Sequence, residues 1–249
     1  MRRLPVAEIP SEGAAGQLDK ESARHAKVLR LREGDELELF DGRGGRARAK
    51  LLSGGAYELL ERLPPRPSLP TVELILCLPK LPDLESAVKM ATELGVTAIH
   101  LASSDHSIVK LDERRNEQKL ERLRKIAIEA SRQSERDELP ELHAARALDD
   151  LLGAFDDSYD RFIALERAEA GPSERQSKRA ALIIGPEGGF SEREVRAALD
   201  AGWSALSLGP TILRVSTAVA AGLAHMRAMR QEPAEIPAEI KEAAPKPAR

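Results

Sequence analysis

The sequence predicts an α/β protein in two parts, a small β-rich N-terminal domain and a larger domain of alternating strands and helices. Four prolines fall among the eight residues 63–70, which is too many for a helix or a central strand and indicates an extended connector. Beyond this connector, apolar runs of strand length alternate with amphipathic segments, a pattern typical of a mostly parallel sheet with helices on its faces. We therefore expect domains at 1–70 and 71–230, followed by a tail.

The N-terminal part contains a predicted β-hairpin. Residues 36–40 alternate between polar and apolar side chains, residues 41–45 read Asp-Gly-Arg-Gly-Gly, and residues 46–52 alternate again. Alternation on both sides of a glycine-rich turn is the usual signature of two antiparallel strands. A small β-barrel or sandwich is the expected architecture.

The second part should contain five strands and four helices. The expected strands are 72–78, 97–102, 162–166, 181–185 and 205–208, and the expected helices are 83–94, 112–134, 191–201 and 217–229. In the first of these helices Leu84, Val88, Ala91 and Leu94 share one face, which predicts a core stripe. The tail at 231–249 consists mainly of Pro, Ala, Glu and Lys, so we expect it to be disordered.

Composition restricts the class of protein. The 249 residues carry a formal net charge of −3 and only 3% aromatic residues, so nucleic-acid binding would have to use local basic patches. The single cysteine, Cys77, lies in an apolar run and predicts a buried thiol in a reducing compartment. The sequence shows neither a signal-peptide pattern nor a membrane-spanning run, so we expect a cytoplasmic protein without a membrane partner. The five histidines lack metal-ligand spacing, and we expect no metal.

Two glycine-rich loops mark the expected functional site. The apolar run 182–184 enters the loop Gly185-Pro186-Glu187-Gly188-Gly189, and a similar loop occupies 207–214. Glycines at strand ends let backbone amides approach a ligand, and ligands of open α/β sheets bind at the carboxyl ends of strands. Neither loop has the Walker or dinucleotide-binding pattern, which argues against a phosphate site. Ser191 and Glu194 form a capping-box pattern that starts the next helix.

Basic side chains form three groups. They are Arg24, Lys27 and Arg30 at near-helical spacing, Arg46, Arg48 and Lys50 on one strand face, and Arg132 and Arg136, which lie with Gln133 at the end of a long helix. The first two groups could follow a phosphate backbone, and a solvated surface is the alternative. In the third group, positive charge also suits the negative end of the helix dipole.

These blocks, in this order and spacing, resemble the RsmE family of small-subunit (16S) ribosomal RNA uracil-N3 methyltransferases, which belong to the SPOUT class. The matching segments are 25–30, 34–35, 40–42, 91–96, 126–127, 133–134 with Arg136, 184–191, and 208–210 with 212–214. The resemblance implies a PUA-like RNA-binding β-barrel, then a SPOUT-type α/β domain with a C-terminal trefoil knot. It also implies a homodimer that uses S-adenosylmethionine to methylate N3 of a uridine in 16S ribosomal RNA, with the assembled small ribosomal subunit as the natural substrate.

The resemblance, taken together with the basic groups above and the chemistry of methyl transfer, predicts roles for individual residues. Those expected to bind S-adenosylmethionine are Leu165, Ile184, Gly185, Pro186, Glu187, Gly188, Gly189, Leu208, Gly209, Ile212, Leu213 and Thr217. Those expected to bind RNA are Arg24, Lys27, Arg30, Arg46, Arg48, Lys50, Gln133 and Arg136. For catalysis, Arg214 or Arg136 is expected to stabilise the deprotonated base and Glu187 to organise the loop or the substrate. The alternative for Glu187 is that its carboxylate accepts hydrogen bonds from loop amides.

The chain departs from the family pattern at several positions. Met90, His106, Arg132 and Glu135 stand where Lys, Arg, Glu and Gly are usual, and Val215-Ser216 replaces Thr-Glu. Two alternative functions therefore stay open: a SPOUT methyltransferase that acts on another RNA site, and a noncatalytic ribosome-assembly factor that keeps the fold.

Overall fold

The structure is a computed structural model that describes residues 2–67, 69–107, 113–166, 168 and 177–230. Its N-terminal part is a five-stranded sheet with one helix, α1 (Lys20–Val28). The strands are β1 (Arg3–Pro5), β2 (Ala15–Gln17), β3 (Glu36–Phe40), β4 (Arg46–Leu51) and β5 (Ala56–Leu63), in the spatial order β1-β3-β4-β5-β2. The predicted tail at 231–249 lies outside the described residues.

The predicted hairpin is confirmed. Strands β3 and β4 pair antiparallel, with Phe40 opposite Arg46. The carboxylate of Asp41 holds the turn, because its Oδ1 accepts hydrogen bonds from the backbone N–H groups of Arg43 at 2.8 Å and Gly45 at 2.9 Å. Ala47 and Ala49 are buried in the core between the strands and α1, and Arg46, Arg48 and Lys50 lie on the opposite face of β4. The polar and apolar alternation therefore reports the real faces of this sheet.

The second part is a six-stranded parallel sheet. Its strands are β6 (Thr71–Cys77), β7 (Ala98–Ser103), β8 (Glu141–Ala147), β9 (Tyr159–Ala164), β10 (Arg179–Ile184) and β11 (Ser204–Leu206), in the order β11-β9-β10-β6-β7-β8. Its helices are α2 (Leu81–Glu93), α3 (Glu113–Gln133), α4 (Leu148–Leu152), α5 (Glu192–Asp200) and α6 (Val215–Ala228). All five predicted strands and four predicted helices are present with shifted ends, whereas β8 and α4 were not predicted.

Helices cover both faces of this sheet. On one face α2, α3 and α6 bury residues such as Leu74 and Leu182, and on the other α4 and α5 bury Ile75 and Trp203. The predicted stripe on α2 is confirmed, since Leu84, Val88 and Ala91 are buried and Leu94 is partly buried against the same core. Cys77 is fully buried as predicted, and burial raises the pKa of its thiol. Within the described ranges, no helix has the length and apolar content needed to cross a membrane.

A buried ionic cluster joins the two parts. The guanidinium of Arg3 donates to Glu38 at 2.8 Å and also to Asp137, which follows α3. Arg66, in the connector, donates to Asp137 at 3.1 Å, and Arg46 donates to Glu38 at 3.3 Å. The side chains of Arg3, Glu38 and Asp137 are at most 6% exposed. This cluster fixes how the N-terminal sheet sits against the end of α3.

Candidate functional site

A cavity of about 860 Å³ opens at the carboxyl end of the six-stranded sheet. The segments that follow β9, β10 and β11 surround it, together with the first turns of α2 and α6. Its lining residues are Asp83, Ala164, Leu165, Glu166, Ile184, Gly185, Pro186, Glu187, Gly188, Gly189, Phe190, Val195, Leu208, Gly209, Thr211, Ile212, Leu213, Arg214, Val215 and Ala218. Every residue that we expected to bind the cofactor, except Thr217, lines this cavity. The position is the one where open α/β sheets bind ligands.

The first glycine-rich loop follows β10 and turns sharply. The N–H of Gly189 donates to the carbonyl of Pro186 at 2.9 Å, and Gly189 has a φ of +69°. At Gly185 a Cβ would lie 3.0 Å from the ring of Phe190, so glycine allows this ring to close over the backbone. The loop therefore presents main-chain groups to the cavity with few side chains in the way.

The predicted capping box begins α5 directly after this loop. The Ser191 hydroxyl accepts from the Glu194 N–H at 3.2 Å, and the Glu194 carboxylate accepts from the Ser191 N–H at 2.9 Å. These reciprocal bonds satisfy N–H groups that the first turn of a helix leaves without partners. The capping-box prediction is confirmed.

The second loop, residues 207–214, connects β11 to α6 and forms the opposite wall. Gly209 has a φ of +118°, a conformation that strongly favours glycine. Leu208 and Leu213 are partly buried, whereas Ile212 is 68% exposed at the cavity rim. The two loops thus enclose one space that is lined by apolar side chains and backbone groups.

Charged side chains around the cavity are mostly acidic. Asp83, Glu166 and Glu187 carry carboxylates, and among the described lining residues Arg214 has the one positively charged side chain. Glu187 accepts a hydrogen bond from the Lys80 N–H at 3.0 Å, at the residue that precedes α2. The carboxylate of Glu187 thus accepts a hydrogen bond from a backbone amide, as in the alternative role given for it above. In the described part of the chain, no three His, Cys, Asp or Glu side chains converge as a metal site would require.

Arg214 and Thr217 differ in their relation to the cavity. Arg214 is the N-cap residue of α6, is exposed and lines the cavity. Thr217 is exposed and does not line it. Val215 and Ala218 line the cavity, and these two residues share a face of α6 because they are three positions apart. Thr217 lies between them in the sequence and projects to one side of that face. Thr217 lies beside the cavity wall of one chain, and its role in cofactor binding stays a prediction.

Arg136 lies away from the cavity and serves the end of α2. Its guanidinium donates to the carbonyls of Thr92 at 2.7 Å and Val96 at 3.0 Å. Arg227 donates to Leu94 at 3.0 Å beside it. Burial and the neighbouring Arg227 lower the pKa of Arg136 to about 10. Within one chain these contacts engage the guanidinium of Arg136, and its expected role in stabilising the base or binding RNA stays a prediction.

The remaining residues that we expected to bind RNA differ in their exposure and in their ion-pair partners. Five of them are exposed: Arg24, Lys27, Arg30, Lys50 and Gln133. Arg24 and Lys27 lie in α1, and Arg30 lies just after its C-terminal end. Arg48 pairs with Glu61 at 2.7 Å and stays partly exposed. Arg46 is 16% exposed and its side chain reaches inward to Glu38 and Asp137, so its expected contact with RNA stays a prediction. The alternation along β4 predicted its face but not its partners.

Several residues at this edge of the sheet were not predicted. Asp83, Glu166 and Thr211 line the cavity. In the loop after β7, His106 contacts Gly188 of the first glycine-rich loop, and Asp105 contacts Ser191, which follows that loop. Asp105, His106 and Glu166 each lie within a few residues of the carboxyl end of a parallel strand. Their position after a strand was the sequence feature that could have indicated a role at the site. It becomes informative only when the order of the strands in the sheet is known.

Comparison with known protein families gives two matches. Residues 66–227 match the family described as RNA methyltransferase domain, and residues 18–56 match the one described as RNA methyltransferase PUA domain. Ribosomal RNA small subunit methyltransferase E of Mycobacterium bovis is 32% identical over 237 residues, covering 88% of each chain. The protein of the same name from Bacillus subtilis is 30% identical, covering 88% of this chain and 90% of the relative.

Solved structures agree with this grouping. Ribosomal RNA small subunit methyltransferase E from Neisseria gonorrhoeae, bound to S-adenosyl methionine, superposes with a TM-score of 0.86 at 29% identity, covering 92% of this chain and 98% of that one. A Legionella pneumophila protein in complex with the bound cofactor gives 0.85 at 28% identity, covering 91% and 97%. The predicted architecture of a PUA-like domain followed by a SPOUT-type domain is confirmed; the trefoil knot and the domain limits stay predictions. The chain therefore belongs to the RNA methyltransferase family and groups within it with the ribosomal RNA small subunit methyltransferase E proteins.

Proposed function

We propose that this protein is an S-adenosylmethionine-dependent methyltransferase that modifies N3 of a specific uridine in 16S ribosomal RNA, acting on the small ribosomal subunit in the cytoplasm. The observation that carries the proposal is the cavity between the two glycine-rich loops, in a chain whose solved neighbours hold S-adenosylmethionine. The departures from the family pattern leave the loops themselves intact.

The cavity fits S-adenosylmethionine chemically. Leu165, Leu208 and Ile212 offer apolar surface for an adenine ring, and the glycine-rich backbone offers amide and carbonyl groups for its polar edge. Asp83 adds negative charge, which favours a ligand with a positive sulfonium. The two loops lack the Lys-Ser/Thr pair that recognises nucleotide phosphates, and this agrees with a cofactor that has none.

Arg214 is the residue that we assign to catalysis. When bound, S-adenosylmethionine would supply an electrophilic methyl group. N3 of uracil must lose its proton to solvent water to act as the nucleophile, and the negative charge then spreads onto the neighbouring carbonyl oxygens. The bond formed between N3 and the methyl carbon would replace the bond from that carbon to sulfur, with S-adenosylhomocysteine as the leaving group. The Arg214 guanidinium lines the cavity and is exposed to an incoming base. A positive charge at this place stabilises the developing anion, and the loops contribute by positioning.

RNA binding is assigned to the exposed face of α1 and its C-terminal end. Arg24, Lys27 and Arg30 have no ion-pair partner within 4.0 Å among the described residues, so they can contact phosphates without first breaking internal pairs. The same role in RNA binding is proposed for Lys50, Arg48 and Gln133. The target uridine has to be unstacked for its base to enter the cavity.

We also propose a homodimer, as the family resemblance implies. Ile212 is 68% exposed at the cavity rim, and Leu81, at the start of α2, is 42% exposed. A second subunit that covers such apolar side chains would remove them from water. Sedimentation equilibrium measures the mass in solution, and a monomer at micromolar concentration would contradict this assignment.

The test of function is transfer of labelled methyl groups from S-adenosylmethionine to small ribosomal subunits that lack the modification. Mass spectrometry of nuclease fragments then identifies the nucleotide. We expect N3-methyluridine at one site of 16S ribosomal RNA. Methylation elsewhere would identify an enzyme for another RNA site, whereas cofactor binding without transfer to any ribosomal or transfer RNA would favour the assembly factor.

A further inference from the structure

The loop after β7 contacts the first glycine-rich loop from outside the cavity. The Asp105 carboxylate accepts from the Ser191 hydroxyl at 2.6 Å and from the guanidinium of Arg193 at 2.9 and 3.3 Å. These partners lower the pKa of Asp105, with the hydrogen bond from Arg193 as the largest cause. Asp105 is therefore a carboxylate with fixed partners at the start of α5.

Glu194 makes the same connection from the interior. Its side chain is buried, and its two carboxylate oxygens accept from the N–H groups of Asp105 at 2.8 Å and Ser191 at 2.9 Å. Burying a carboxylate costs free energy unless its oxygens are hydrogen-bonded, and both oxygens of Glu194 are bonded here. Because β6 lies between β7 and β10 in the sheet, this single side chain bridges loops from strands that are not neighbours.

His106 reaches the glycine pair itself. Its Nδ1 lies 3.0 Å from the carbonyl oxygen of Gly188 and 3.3 Å from that of Gly189, so the N–H tautomer donates to them. A Cβ at Gly188 would lie 3.0 Å from the Cβ of His106, which leaves little room between the loops. We call Asp105, His106, Ser191, Arg193 and Glu194 the interloop latch.

We propose that the interloop latch holds residues 185–190 in the conformation that binds S-adenosylmethionine, with Asp105 as a positioning residue. The proposal rests on the proposed function for the identity of the ligand. A loop already held in its binding conformation loses less conformational freedom when the ligand arrives, so affinity rises without any added contact to the ligand. Asp105 itself does not line the cavity.

The chain offers a matched control for Asp105. Arg193 also donates to Asp149 at 2.7 Å, and both carboxylates are partly exposed, at 42% for Asp105 and 52% for Asp149. Asp149 precedes α5 by many residues and has no bond to Ser191 among the described contacts. Asp105→Ala and Asp149→Ala therefore each remove one partner of Arg193, but only the first also releases Ser191.

Calorimetric titration with S-adenosylmethionine measures the effect on binding. We expect Asp105→Ala to raise the Kd about 10-fold, the effect of losing one charge-assisted hydrogen bond that orders the loop. Asp149→Ala should stay within about twofold. Asp105→Asn, which can still accept from Ser191, should lie between them. An unchanged Kd in Asp105→Ala, or equal losses in the two alanine variants, would overturn the proposal.

Hydrogen exchange of the ligand-free protein tests the latch independently of the ligand. Backbone amides within 187–191 should exchange faster in Asp105→Ala than in the parent protein or in Asp149→Ala. If the parent protein binds no S-adenosylmethionine, the proposed function fails while the exchange comparison still decides whether the latch holds the loop. Equal exchange in all three proteins means that it does not.

Discussion

The backbone N–H of Lys80 donates to a carboxylate oxygen of Glu187 at 3.0 Å. This bond ties the first glycine-rich loop to the start of α2, two elements that lie more than a hundred residues apart in the chain. The negative charge of Glu187 also sits near the N-terminal end of α2, where a helix dipole favours an anion. The contact gives Glu187 a definite role in holding the loop.

The Glu187 variants separate holding the loop from acting on the substrate. In Glu187→Gln the side-chain carbonyl can still accept from Lys80, so cofactor affinity and turnover should stay close to those of the parent. Glu187→Ala loses the bond, and we expect a three- to tenfold weaker Kd for S-adenosylmethionine, equivalent to about 1 kcal/mol. Glu192→Ala, an exposed acidic residue in the first turn of α5, is the control. Equal loss of turnover in the Gln and Ala variants would show that the charge acts on substrate.

Arg214→Ala tests charge stabilisation in the reaction. Removing the positive side chain from the cavity should lower kcat about 100-fold, the size typical of losing one group that stabilises a developing anion. The Kd for S-adenosylmethionine should change little if the guanidinium faces the base. Single-turnover rates on small ribosomal subunits and calorimetry measure the two quantities. Arg196→Ala, on the exposed face of α5, is the matched control, and an unchanged kcat in Arg214→Ala refutes the assignment.

The ionic cluster between the two parts of the chain predicts a large loss of stability. Asp137→Ala leaves Arg3 buried without one of its carboxylate partners, and this should cost about 3 to 5 kcal/mol in the free energy of unfolding. Arg2→Ala removes a pair with Asp35 in which both side chains are at least 40% exposed, and should cost less than about 1 kcal/mol. Urea unfolding measures both. A similar loss of unfolding free energy in the two variants would mean that burial of the cluster does not increase its contribution to stability.

Local sequence patterns predicted the elements whose signal lies within a few residues. The hairpin of β3 and β4 was visible because alternation and a glycine turn are local properties, and the cavity loops were visible because glycines follow apolar runs. Strand β8, Glu141–Ala147, was missed because it contains neither a β-branched nor a large aromatic residue. Being an edge strand, it is held by its register with β7, which the sequence does not display.

Side-chain partners were the part that the sequence could not supply. Arg46 has the spacing of an RNA-facing side chain, but Asp137, some ninety residues later, turns it into part of the interior. Arg136 follows the basic helix α3, yet its guanidinium donates a hydrogen bond to the carbonyl of Thr92 in α2. Both side chains have partners in elements distant in the chain, and a local charge pattern carries no information about such pairing.

A glycine in α6 gives a sharp packing test. A Cβ at Gly222 would lie 2.6 Å from Leu182 Cδ2, and Leu182 is fully buried in β10. Gly222→Ala should therefore destabilise the protein by about 1 to 2 kcal/mol, although alanine favours helix. At Gly153 a Cβ would meet nothing within 4 Å, so Gly153→Ala should stay within about 0.5 kcal/mol. Thermal or urea unfolding compares them, and a neutral Gly222→Ala would mean that α6 can shift away from the sheet.

The stacked pair His100 and His143 predicts how stability depends on pH. Their ring centroids lie 4.4 Å apart with an interplanar angle of 6°. Burial, followed by the charge of His100, lowers the pKa of His143 below its ordinary value of 6.5. The folded protein then binds fewer protons than the unfolded chain between that lowered pKa and 6.5, so stability falls as the pH drops through this range. Urea unfolding at pH 7 and pH 5 should show a smaller difference for His143→Gln than for the parent protein. An equal or larger difference would mean that protonation of His143 is not coupled to folding.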